Sequence, residues 1–206
     1  TATETYNVAV GHAAGEAVST GIRNTLVGGL AGDALTDADD NVAVGGLALT
    51  SDVRGSKTTA IGRGTLGSQN FTTATDSYNT AVGYFAGQQV TTGIRNTLVG
   101  SLAGDALTDA DFNVALGYNT LGADTLGSHN TAIGYAALFT QNFTTATNSY
   151  NTAVGSNAGL SVTTGTHNTL IGGLAGDALT TGPNNVAVGY NSLSSATSGD
   201  NNVAVG

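Results

Sequence analysis

A five-residue phrase, Asn-Thr/Val-Ala/Leu-aliphatic-Gly, recurs twelve times along the chain on a nearly fixed ruler. Its closing glycines are Gly11, Gly28, Gly45, Gly62, Gly83, Gly100, Gly117, Gly134, Gly155, Gly172, Gly189 and Gly206. Three steps of 17 residues and one of 21 make a block of 72, which runs twice and begins again. A unit that short cannot bury a core of its own, so such units fold only as stacked windings that cover one another. The period therefore predicts an all-β parallel β-solenoid of about twelve coils, 17 or 21 residues each. Residues 1–206 form one repeat array with blocks 6–77, 78–149 and 150–206.

Within the phrase, the residue after Asn is always β-branched and the residue before Gly always aliphatic. Both suit a pleated strand surface. Alternate side chains point to opposite faces, so Val8 and Val10 share one side and Ala9 takes the other. Every position of the strand is then apolar or nearly so, as in a strand covered on both faces. The Ala column is the one expected to pack closely between chains. The closing Gly fits a corner that needs positive φ or close backbone approach. Asn opens eleven phrases, with Thr58 the exception. It tolerates the left-handed region, and a stacked Asn ladder is a further expectation. Three residues past each Gly comes a small residue such as Ala31 or Ala48. The next position cycles through Gly15, Gly32, Leu49 and Leu66, and repeats that order in the second block. A second short strand or a turn there would complete a two-sided coil. Helix is disfavoured, since Gly, Thr and Asn return every few residues.

Composition narrows the function classes. Gly supplies 31 of 206 residues, roughly double ordinary usage. Charged residues are 9% and the net charge is −9 with only five Lys and Arg, so no basic face is expected for nucleic acid or anionic lipid. Cysteine is absent, which excludes disulfides and thiolate metal sites. No apolar run approaches the ~20 residues of a membrane helix. Thr1-Ala-Thr-Glu-Thr-Tyr-Asn7 aligns with Thr73–Asn79 and Thr145–Asn151, so the first residues read as the tail of a preceding long coil. Neither end supplies a cap, and the expectation is a segment of a longer fibre.

Asn79-Thr-Ala-Val-Gly-Tyr-Phe-Ala86, followed by the Thr92-Gly93 turn and Asn96-Thr-Leu-Val-Gly100, resembles the head repeat of YadA-like trimeric autotransporter adhesins. It is as similar to the repeat arrays of phage tail fibres. The match spans the whole chain, with coils of 17 or 21 residues where adhesin heads use a shorter repeat. The resemblance implies a left-handed β-roll, a homotrimer, adhesion or receptor engagement, an extracellular place on a virion tail or bacterial surface, and no catalysis or cofactor.

The residue after the closing Gly varies most between coils, which marks a solvent-facing column. Tyr84, Tyr118, Tyr135 and Tyr190 stand there, and with the neighbouring Phe85 they are candidate contacts for a host-surface glycan or protein. The alternative is that these rings cover the edge of the roll. The longer coils add the loops Gln69–Thr75 and Gln141–Thr147, in which Phe71 and Phe143 are either contact residues or lids on a neighbouring coil or chain. The turns Asp33–Asp40 and Asp105–Asp111 gather carboxylates, but Asp-x-Asp alone is no Ca²⁺ site, and solvated acidic turns are expected. His12, His129 and His167 read as separate points of the coil, with His167 replacing Arg23 and Arg95 at one surface position. No nucleophile–base pair or metal set emerges. A rival to the fibre is an ice- or crystal-surface binder, because Thr25, Thr59, Thr80, Thr97, Thr131, Thr152 and Thr169 fall in one column that Val interrupts.

Overall fold

The structure is a computed structural model and describes residues 4–206; the aligned residues Thr1–Thr3 lie outside the described part. The described residues form a parallel β-solenoid of about twelve coils, with no helix among them. Twelve three-residue strands, from Val8–Val10 through Thr25–Val27 and Val42–Val44 to Val203–Val205, form one sheet in strict chain order. The register is that of the repeat: Val8 faces Thr25, Ala9 faces Leu26 and Val10 faces Val27, and so on up the stack. Where the coil lengthens, Gly55–Ser56 pairs with Thr75–Asp76 and Gly127–Ser128 with Thr147–Asn148, forming two small extra sheets.

Only one face of the strand is covered by its own chain, which corrects the expectation of two. The middle residue points inward: Leu26, Ala43, Ala60, Ala81, Leu98 and their equivalents are buried. The Ala column is therefore the interior and offers nothing to another chain. The β-branched and aliphatic columns face outward, and Ile61, Val114, Leu116 and Ile171 are exposed.

After the strand, each coil takes the second of the two expected alternatives, a turn on residues of positive φ rather than a second short strand. The closing glycines sit at φ between +122° and +143°. A Cβ on Gly11 would lie 2.5 Å from the carbonyl oxygen of Gly28 in the next coil, so conformation and crowding both require glycine. Two more left-handed residues follow, such as Leu30 and Gly32. They tilt the peptide planes along the stack, so that turn amides bond between coils: Gly15 N donates to Ala31 O, Leu30 N to His12 O and Leu47 N to Gly29 O. Backbone pairing thus runs around the coil as well as through the sheet.

The four-coil period is a packing period. A Cβ on Gly15 would lie 2.7 Å from Leu26 Cδ1, and one on Gly32 would lie 2.8 Å from Leu26 Cδ2. Each strand Leu (Leu26, Leu98, Leu170) fills the room left by glycines in its own coil and the one before. Where the strand carries Ala and the four-coil pattern has no Gly, Leu49, Leu66, Leu121 or Leu138 fills the interior from the turn. Volume is conserved while its source alternates, as close packing demands.

Half of each of the first two blocks is polar inside. At the position occupied by Leu35 in one coil, the next two carry Asp52 and Gln69, both buried. Gln69 Nε2 donates to Asp52 Oδ2 at 2.6 Å, while Gly55 N and Phe71 N donate to Asp52 Oδ1. Asp124 and Gln141 repeat the arrangement. This network fastens the base of the longer coil, where the added residues leave backbone N–H groups that need an acceptor.

The asparagines form the expected ladder, but they are not the left-handed residues. Asn96 N donates to Asn79 Oδ1, Asn113 N to Asn96 Oδ1 and Asn130 N to Asn113 Oδ1, and the series continues to Asn202. Their side-chain amides donate across the coil, as Asn113 Nδ2 does to Gly127 O. Thr58 interrupts the ladder, and Asn79 N turns to Ser77 Oγ instead. The left-handed φ belongs to the residue before each Asn, in all twelve coils, at +50° to +62°.

Candidate functional site

The column just before the asparagines is the most organised part of the surface. Its backbone is held by the following Asn, which is pinned inside the coil, and in the 17-residue coils the residue's own N–H bonds to the coil before. Arg95 N donates to Ser77 O, Phe112 N to Ile94 O, His129 N to Asp111 O and His167 N to Ser149 O. The left-handed conformation turns each side chain outward at the corner, where equivalent groups in successive coils stack at ~4.8 Å spacing.

In the first block the column is ionic. Arg23 pairs with Asp40 at 2.5 Å, and Lys57 pairs with Asp76. The hydrogen bond from Arg23 holds the Asp40 carboxyl below its ordinary range, and the one from Lys57 does the same for Asp76. All four groups are exposed or half-exposed, where such pairs add little stability. From Tyr78 upward the column is planar instead. The Arg95 guanidinium lies 5.9 Å from the Tyr78 ring centre and 5.2 Å from that of Phe112. Phe112 stacks on His129 at 4.8 Å, His129 on Tyr150 at 4.9 Å, and Tyr150 meets His167 at 5.3 Å.

The residues marked by the sequence lie elsewhere. The column after the closing Gly is solvent-facing as expected. Tyr118 and Tyr135 stack at 5.8 Å, with about half of each exposed, and Tyr190 is 75% exposed beside Gly173. Tyr84 is also exposed, with its ring against that of Phe85. Phe85 itself lies across Gly64 of the coil before, with Arg63 over its ring. Phe71 and Phe143 are buried, each 6% exposed. Of the two roles open to them they take the lid, and Phe71 closes over Gly55. In the loops of the longer coils, Asn70 and Thr72–Ala74, and Asn142 and Thr144–Ala146, are exposed.

The histidines need correction. His129 and His167 occupy equivalent places in the pre-Asn column, and only His12 lies apart. The 21-residue coil obscures the equivalence when positions are counted in steps of 17. The column as a whole was missed, although its sequence signal is plain once aligned on Asn: Lys57, Tyr78, Arg95, Phe112, His129, Tyr150, His167.

The acidic turns hold their carboxylates in backbone and side-chain bonds. Asp39 Oδ1 accepts from Ile22 N, Asp111 Oδ1 from Ile94 N, and Asp33 Oδ1 from Thr50 Oγ1. Burial raises the Asp105 carboxyl, whose coil-above partner position is Gly122 in place of Thr50. Among the described residues no group of three or more His, Asp or Glu is placed to hold a metal ion, and no enclosed pocket is present. No helix among them is long and apolar enough to cross a membrane.

No protein family, curated protein or solved structure matches the chain.

Proposed function

We propose that the chain is a structural and adhesive fibre segment. It associates with copies of itself as a homotrimer and spaces or displays a receptor-binding surface outside the cell, on a virion tail or a bacterial surface. The observation that carries this reading is the outer face of the twelve-stranded sheet. Val10, Val27, Val44, Ile61, Val82, Val99, Leu116, Ile133, Val154, Ile171, Val188 and Val205 form one unbroken aliphatic column there, roughly 50 Å long at the strand spacing. A contiguous apolar strip of that length on a soluble surface marks an interaction site. The same strip on every copy suits a closed symmetric assembly. The threefold number comes from the resemblance to trimeric adhesins and tail fibres. The reading contains no catalytic step.

Sedimentation equilibrium tests it: a mass of three times the 20.2 kDa chain is expected. Replacing Val99 and Leu116 together by Lys should shift the mass to that of one chain. A wild-type protein that stays monomeric at high concentration would refute it.

Ice- or crystal-surface binding remains as a second reading because the Thr column lies beside the aliphatic one on this same outward face. Val8, Val42, Val114, Val186 and Val203 interrupt it. A solution without thermal hysteresis disposes of the ice-binding form.

A further inference from the structure

We infer that the pre-Asn column from Tyr78 to His167 is a linear binding site for an acidic polysaccharide that carries one carboxylate per disaccharide and lies along the solenoid axis. Over six consecutive coils the column alternates aromatic ring and nitrogen donor: Tyr78, Arg95, Phe112, His129, Tyr150, His167. Donors recur every second coil, about 10 Å apart at the strand spacing. That step is close to the length of one disaccharide in an extended glycan. Nucleic acid does not fit the ruler, because a duplex strand presents a charge about every 3.4 Å.

The charges support the assignment. In a chain of net charge −9, Arg95 and two of the three His stand in this stretch of the column. The first block neutralises its cations with Asp40 and Asp76. In the second block the equivalent positions hold Phe112 and Asn148, so Arg95 has no carboxylate partner among the described residues. The nearby Asp111 spends Oδ1 on Ile94 N. Arg95 is exposed, with its guanidinium between the Tyr78 and Phe112 rings, and a guanidinium can grip a carboxylate through two parallel hydrogen bonds.

The backbone supports it as well. Tyr, Phe, His and Arg stand where left-handed φ costs a residue with a Cβ about 1–2 kcal/mol. Asn184 and Asn201 occupy the same position in the third block, so the fold accepts the residue type that tolerates this conformation better. The corner fixes the backbone at each of these residues, so their side chains are presented on a rigid frame. The site lies within one chain and does not depend on the proposed trimer; it adds a ligand class to the display role.

The test is calorimetric titration of the protein with hyaluronan decasaccharide, with neutral dextran and single-stranded oligothymidylate as comparators. Hyaluronan should bind, more weakly as salt rises, and dextran should not. Arg95→Gln should weaken binding at least tenfold, and Arg95→Lys, which keeps charge without the planar fork, should not restore it. Arg23→Gln, whose parent is already paired with Asp40, should bind as wild type. The imidazole NMR signals of His129 and His167 should shift on titration while that of His12 stays. Absence of hyaluronan binding, equal binding by Arg95→Gln of unchanged melting temperature, or preference for oligothymidylate would each overturn the assignment. Sedimentation of the same samples reports the assembly state separately.

Discussion

Removing one central rung of the Asn ladder should cost far more than removing its last one. Asn113 is buried and does three things at once. Its Oδ1 accepts from Asn130 N at 2.9 Å and from Asn130 Nδ2 at 3.1 Å, and its Nδ2 donates to Gly127 O at 2.9 Å. Asn113→Ala strips partners from three buried groups in a place water cannot reach. At about 1–2 kcal/mol for each group left without a partner, the loss is about 3–6 kcal/mol. Asn202 stands at the top of the ladder and gives up only its bond to Asn185 Oδ1 at 2.9 Å, so Asn202→Ala should cost about 1 kcal/mol. Urea unfolding at matched concentration measures the difference, since association and stability are linked. Amide exchange at Asn130 gives the local readout and should accelerate in Asn113→Ala alone. If the two variants lie within about 0.5 kcal/mol of each other, the ladder is a consequence of stacking and not a cause of it.

The interrupted rung gives the converse: Thr58→Asn places the residue of Asn130 among equivalents of its own neighbours, Gln69 for Gln141 and Ser77 for Ser149, and should raise stability by about 1 kcal/mol in the same unfolding assay. Gly87→Ala should cost about 2–4 kcal/mol by thermal unfolding, because a Cβ there meets Leu98 Cδ1 at 2.7 Å and Leu66 Cδ2 at 2.8 Å at φ +59°. Adding Leu98→Ala should make the pair less destabilised than the sum of the singles, by relief of that clash. Burial raises the Asp52 carboxyl against the opposing hydrogen bonds from Gln69 and the backbone. Its folded form therefore favours the proton, so its contribution is full below the unfolded value near 3.8 and is lost as pH rises through the folded one. The stability of wild type relative to Asp52→Asn should then grow as pH falls from neutral into the acid range. The lowered Asp40 and Asp76 lose their contributions over the acid range in both proteins and cancel. A difference that is flat with pH would show that burial of this carboxyl carries no penalty.

Much of the fold is legible because each coil repeats the same local demands. The spacing of Gly11, Gly28 and Gly45 announces a stack, Val8 and Val10 announce a strand, and the alternation of Gly32 with Leu49 marks a four-coil period before its cause is visible. Direction is harder to read than period. Val8, Ala9 and Val10 are all apolar, so the sequence does not tell which face is inside. Packing decides it, since the narrow interior has room for Ala, or for Leu only beside glycine. Asn suggests left-handed φ by type, yet the ladder needs Asn inside, and the corner falls to the residue before it whatever its chemistry. Tyr78, Arg95, Phe112, His129 and Tyr150 are unrelated side chains 17 or 21 positions apart. Only the winding sets them on one edge at stacking distance, because lateral neighbours in a solenoid are one coil apart and never adjacent in the chain.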